Sequence, residues 1–148
     1  MRLIKLASMQ SALRGFNYYE ENKVIETSKT NEHEFKSTVK GTKKYNVYIN
    51  LKHPRSSTCD CPFAVGRNVI CKHMVATYFS LFPDDARLFI QDIERQNEEY
   101  EEYIDGLEDR IYAHINKMSK TELRNTLVNL LFECPEWLFD KFVRDEIN

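Results

Sequence analysis

Hydrophobic and polar positions change rhythm twice along this 148-residue chain. Near the start, Leu3, Leu6, Met9, Leu13 and Phe16 recur at steps of three and four. That spacing predicts one apolar face of a helix running to about Glu21. Asn22 follows as a left-handed terminator, because its short polar side chain tolerates positive φ. The rhythm then changes to two. A strand starts at Val24-Ile25. Phe35, Ser37 and Val39 alternate with Lys36, Thr38 and Lys40, and Tyr45, Val47, Ile49 and Leu51 alternate with Asn46, Tyr48, Asn50 and Lys52. Both runs read as half-buried strands joined by the turn Gly41-Thr42-Lys43-Lys44, with the Val24 strand pairing to the Phe35 run in a three-stranded meander.

After Cys71 the helical period returns. His73–Phe82 reads as a short helix stopped at Pro83, and a longer one follows Asp84-Asp85. Its positions Ile90, Ile93, Asn97, Tyr100, Ile104, Leu107, Ile111, His114 and Met118 form a 3-4-3-4 seam. Such a seam either joins two helices across a dimer or packs within the chain against the last helices. Gly106 and the lack of a clean flanking charge code favour the second. Ser119-Lys120-Thr121-Glu122 is a capping box that opens a Leu-rich helix ending at Pro135. Trp137, Leu138, Phe139, Phe142 and Val143 predict a final short helix docked by aromatics. The expected architecture is α+β: an N-terminal helix, a small antiparallel sheet, a cysteine-rich knuckle with its helix, then an all-helical C-terminal part.

Composition adds an asymmetry. The net charge is −2, yet residues 1–82 carry 13 Lys and Arg against 6 Asp and Glu, and residues 83–148 carry 8 against 17. A basic module of residues 1–82 is thus joined to an acidic helical extension of 83–148. No apolar run reaches the ~18–20 residues of a membrane span, and no secretory leader is expected at the N-terminus. An intracellular, cytoplasmic setting follows as the expectation, where cysteines serve metals more often than disulfides.

The chemistry concentrates in one stretch. Cys59-Asp60-Cys61, nine residues, then Cys71-Lys72-His73 offers three thiols and an imidazole. Zinc takes four such ligands in a tetrahedron. Cys59 and Cys61 leave the same face of an extended segment. Cys71 and His73 would diverge on a continuous helix, so Cys71 is expected just before the helix and His73 in its first turn. Gly66 lets the intervening loop fold back. One structural zinc ion held by Cys59, Cys61, Cys71 and His73 is therefore expected. His53 is the best substitute ligand, Cys134 reads as a core residue, and His33 and His114 as ordinary surface residues.

Cys-x-Cys-xₙ-Cys-x-His resembles the motif of the SWIM zinc finger family. The likeness extends to Arg14-Gly15-Phe16-Asn17-Tyr18-Tyr19, to Val24, to Val39–Val47, to Cys61-Pro62 and to Ala76, and covers Ser11 to Phe82. The segment after Ser119 is similar to tails on small stand-alone bacterial and archaeal members. Asn22 stands where glycine would be expected. The resemblance implies a zinc-binding fold and a role in binding nucleic acid or protein.

Four ligands close a zinc shell and leave no water position, and no nucleophile elbow, phosphate loop or His-Glu-x-x-His helix is present, so no enzyme and no small-molecule substrate are expected. Lys36, Lys40, Lys43, Lys44, Lys52, Arg55, Arg67 and Lys72 are spread along the strands and zinc loop, with Tyr45, Tyr48 and Phe63 among them. Cations neutralise phosphates and aromatics stack on unpaired bases. Tyr45 is in phase with the core, leaving Tyr48 as the better stacking candidate. Two functions are expected to compete: a DNA- or other nucleic-acid-binding module using this basic face, and an adaptor that binds a protein partner, or itself, through the helix spanning 90–118.

Overall fold

The computed structural model describes residues 2–147. It is α+β. A 3-10 turn (Ile4–Leu6) precedes helix α1 (Met9–Glu20), strands β1 (Val24–Asn31), β2 (Glu34–Lys40), β3 (Lys44–Asn50) and β4 (Thr58–Cys59), then helices α2 (Lys72–Leu81), α3 (Pro83–Ile115), α4 (Lys120–Glu133) and α5 (Glu136–Phe142), and a π-helical turn (Val143–Ile147). The chain divides into two compact units, Met1–Glu94 and Arg95–Asn148.

In the first unit the strands form one antiparallel sheet in the order β1-β2-β3-β4. The predicted meander is present, and β4 adds a fourth strand through Val47↔Cys59 and Tyr48↔Thr58. Two residues are too few to show a period of two, so no alternation announced it. Val39, Tyr45, Val47 and Ile49 face the core, as their alternation requires. Asn22 adopts φ 51°, the left-handed turn expected of it.

The first helix departs from the expected one. Ser8 accepts a hydrogen bond from the Ser11 amide at 3.2 Å and starts the helix at Met9. Such a cap satisfies an otherwise orphaned amide. Leu3 and Ile4 are consequently buried on a separate turn, whereas Leu6 and Met9 are exposed. The buried face of α1 is Ser11, Ala12 and Gly15. A Cβ at Gly15 would lie 2.4 Å from Val75 Cβ, so only glycine lets α1 and α2 approach this closely. The smallest residue, not the largest, marks the contact.

Helix α2 is buried from His73 to Phe79 and fills the centre of the unit. Phe79 is fully buried and its ring centroid lies 5.3–6.2 Å from those of Phe16, Tyr19, Tyr78 and Phe89. Pro83 opens α3, with Asp84 and Asp85 in its first turn, where acidic groups suit the helix dipole. The unit continues past Phe82: Ala86 and Phe89 are buried in its core, and the Tyr78 hydroxyl donates to the Asp85 carboxylate.

In the second unit the capping box forms as expected, with Glu122 N donating to Ser119 Oγ and Ser119 N donating to the Glu122 carboxylate. The predicted packing of the α3 seam against the last helices does not occur. Tyr100 is 64% exposed, Ile104 40% and Ile111 48%. Leu123, Leu127, Leu130 and Leu131 follow the helical period without finding a core: the first three are exposed and Leu131 half-buried. Trp137 is exposed too, and the docking of α5 by aromatics reduces to the Phe132–Phe139 ring contact at 6.3 Å. Cys134, expected in a core, is half-buried and donates its thiol to the Leu131 carbonyl. No helix among the described residues is long and apolar enough to cross a membrane.

Candidate metal centre

Three elements bring the ligands together. Cys59 closes β4, Cys61 follows after Asp60, and Cys71 and His73 lie at the start of α2. Asp60 points away from the cluster: its carboxylate accepts from the Asn46 amide (2.9 Å) and from Asn46 Nδ2 (3.0 Å), fixing the Cys-x-Cys segment to β3. Cys71 is the N-cap of α2, with extended backbone at φ −93°, ψ 166°. That conformation turns its thiol back toward His73 in the first turn, as the spacing requires. Gly66 takes φ +69° in the connecting loop, and Ile70 bridges to Ala7 beside the N-terminal turn.

The four ligand atoms lie within 4.8 Å of one another and all four residues are buried. His73 Nδ1 is 3.7 Å from Cys59 Sγ and 3.9 Å from Cys71 Sγ. Zinc bonds of about 2.3 Å to sulfur and 2.0 Å to nitrogen give tetrahedral edges of roughly 3.5–3.8 Å. The donor set and its dimensions therefore fit one zinc ion, with Nδ1 as the histidine ligand.

Electrostatics point the same way. The Cys59 thiol faces Cys71 across a hydrogen bond, which holds Cys71 down to about 4, aided by His73, and pushes Cys59 up. Burial, then the neighbouring Cys71 charge, also pushes Cys61 up. Three thiols packed this closely resist shared ionisation, and a divalent cation removes the conflict. Metal binding must displace protons from Cys59 and Cys61, so metal affinity falls as pH falls.

Around the ligands, Tyr45 stacks on the His73 ring at 4.5 Å and Tyr18 meets it edge-on at 5.4 Å. Gly41 closes the site from the β2–β3 turn. A Cβ there would lie 2.8 Å from the Tyr45 ring and 3.3 Å from His73 Nε2. Gly41→Ala is expected to weaken zinc retention about tenfold in competition with a chelator, while leaving the helices formed. Tenfold corresponds to about 1.4 kcal/mol, within the usual cost of overpacking. Unchanged retention would show that the turn yields freely.

Residues 45–82 match the SWIM zinc finger family. The chain carries a SWIM zinc finger. Comparison with curated proteins and with solved structures finds no match. The matched segment contains β3, β4, the metal loop and α2, and the buried Cys3His cluster is its metal site. His53, the alternative ligand, lies outside the cluster beside a 3-10 turn, and His33 and His114 are exposed.

The basic residues around the SWIM finger separate into groups. Lys40, Lys43 and Lys44 sit at the β2–β3 hairpin, with Lys43 Nζ 5.7 Å from the Tyr45 ring centroid. Lys72 is drawn against α1, donating to the Tyr18 hydroxyl at 2.7 Å. Arg55 and Arg67 line an open groove of about 1130 Å³ along the sheet, together with Lys36 and Tyr48. Lys36 lies directly across β2–β3 from Tyr48. Arg55 also borders a second hollow lined by Arg2, Lys5 and Lys52. Arg2 and Lys5 escape a reading of the sequence because they precede the motif by more than fifty residues. Only the return of the N-terminal turn toward the segment after β3 brings them beside Lys52. Tyr45 is buried, as its phase predicted, and Tyr48 is half-buried at the groove. Phe63 is exposed.

Proposed function

We propose that the SWIM finger binds nucleic acid along the two concavities that meet at Arg55. The observation that carries this reading is Arg55 itself, which lines both the groove of Lys36, Tyr48 and Arg67 and the hollow of Arg2, Lys5 and Lys52. Six cations thereby follow one track. Phosphates repeat along a nucleic-acid strand, and a row of cations gains affinity by releasing condensed counterions. The acidic groups in the groove are Glu26 and Asp60, and Asp60 is committed to Asn46. Tyr48 offers a ring edge or face for a base, while Asn68 and the serine and threonine hydroxyls of the groove supply neutral donors.

In this reading the metal is structural. It pins the loop that carries Arg67 to the start of α2 and keeps both sides of the groove in place. Contacts of this kind are largely independent of sequence, so affinity should depend steeply on salt.

Fluorescence anisotropy with labelled single- and double-stranded DNA, repeated across a salt series, tests the reading. Arg55→Glu with Arg67→Glu is expected to weaken binding by at least about tenfold and to lower the salt slope by about two, one for each lost phosphate contact. Lys43→Glu with Lys44→Glu, outside both concavities, is expected to have the smaller effect. Binding by the wild type that ignores salt, or equal losses in both double variants, would remove the assignment of the track.

A further inference from the structure

Among the described residues, none from Ile90 to Ile147 is buried, although most of that stretch is helical. Burial of apolar surface is what ordinarily holds a helix of this kind in place. Ile93 still packs against the core of the first unit. From Asn97 onward, within the second unit, Tyr100, Ile104 and Ile111 of the seam are exposed and Leu107 is half-buried.

We propose that this seam is covered by the same seam of a second copy, in a parallel, in-register two-helix pair running from Asn97 to His114, within the helical span of α3. Three features select a second copy over an unrelated helix. Asn97 occupies a seam position, and its amide is left unpaired against an apolar partner but is satisfied by the partner's Asn97 across a two-fold axis. The steps of three and four continue without interruption from Asn97 through Tyr100, Ile104, Leu107 and Ile111 to His114, all within α3. The flanking rows carry no clean code of opposite charges, yet they still distinguish a parallel from an antiparallel pair. One row is acidic, with Glu94, Glu101 and Glu108. The other is neutral or basic, with Gln96, Tyr103 and Arg110. A parallel pair sets Gln96 against the partner's Glu101 and Tyr103 against the partner's Glu108, both capable of hydrogen bonds. An antiparallel pair would instead bring acidic row against acidic row, which repels. The remaining acidic residues of this segment, among them Glu98, Glu102 and Asp109, fall outside the contact.

Sedimentation equilibrium on the full, zinc-loaded chain tests the pair without nucleic acid, so its failure leaves the groove reading untouched. The wild type is expected at twice the 17.6 kDa chain mass. Ile104→Glu with Leu107→Glu should raise the dissociation constant by more than about a hundredfold. Its zinc content should stay at one per chain, since both residues belong to the second unit and the ligands to the first. Asn97→Leu should still associate but add species larger than two chains, because the polar device that limits the assembly is gone. A monomeric wild type at high concentration, or a double variant that stays dimeric, would overturn the proposal. An Asn97→Leu variant held strictly at two chains would overturn the in-register pairing.

Discussion

Cys71→Ala is expected to abolish zinc binding and to unfold the first unit. Cys71 supplies the thiol whose ionisation is already favoured, and its backbone is the N-cap from which α2 begins. Removing the side chain thus deletes a metal ligand at the point where the central helix starts. Structural zinc in small modules is associated with apparent binding free energies of about 10–16 kcal/mol. Whole-domain stabilities are only about 5–15 kcal/mol. The loss therefore exceeds what the remaining core can offset. Elemental analysis should find no bound zinc, and circular dichroism should show loss of helix with no cooperative thermal transition. Excess chelator on the wild type should reproduce both. Cys134→Ala, in the second unit and not a ligand, should keep its zinc and its transition. A metal-free Cys71→Ala protein that still melts cooperatively at the wild-type temperature would mean that the apolar core suffices without zinc.

The second large effect lies at Phe79. Its side chain is fully buried and meets aromatic rings from α1, α2 and α3. Truncation to alanine removes one of the contacts that join the first turns of α3 to the rest of the core, and leaves a cavity deep in the unit. A destabilisation of about 3–5 kcal/mol is expected from urea unfolding followed by near-ultraviolet absorbance or fluorescence. The cavity is also expected to loosen Phe89, which should show as faster amide exchange at the start of α3. Phe79→Leu should recover most of the loss. A cost below about 1 kcal/mol would mean that the neighbouring rings close over the gap.

Local chemistry was the readable part of this chain. The Cys3His cluster follows from four ligands of two types within fifteen residues, and the position of Cys71 ahead of the helix follows from angular geometry alone. Asn22, the β2–β3 hairpin and the Ser119 capping box were legible for the same reason: each is settled within a few residues. Features settled at a distance were not. Ser8 capped α1 later than the apolar spacing implied, so Leu6 and Met9 lost their core partners. Gly15 carries no hydrophobic signal, yet it sets the α1–α2 contact. The basic track could not be assembled from sequence because Arg2 and Lys5 reach Lys52 only through the fold. On α3 the heptad pattern was visible, but a seam reads the same whether its cover comes from this chain or another.

The loop between Cys61 and Cys71 carries one more implication. Its ends are tied to the metal, and Ala64 and Ile70 anchor it from inside, while residues 65–68 are all exposed. Lengthening a segment whose ends are already fixed adds only closure entropy, about 0.6 kcal/mol for each doubling of length. The part of the finger nearest the proposed track is therefore its most extensible part. Descendants of this sequence could acquire longer or differently charged loops there, and so new preferences, with the ligands, the hairpin and the central helix left untouched.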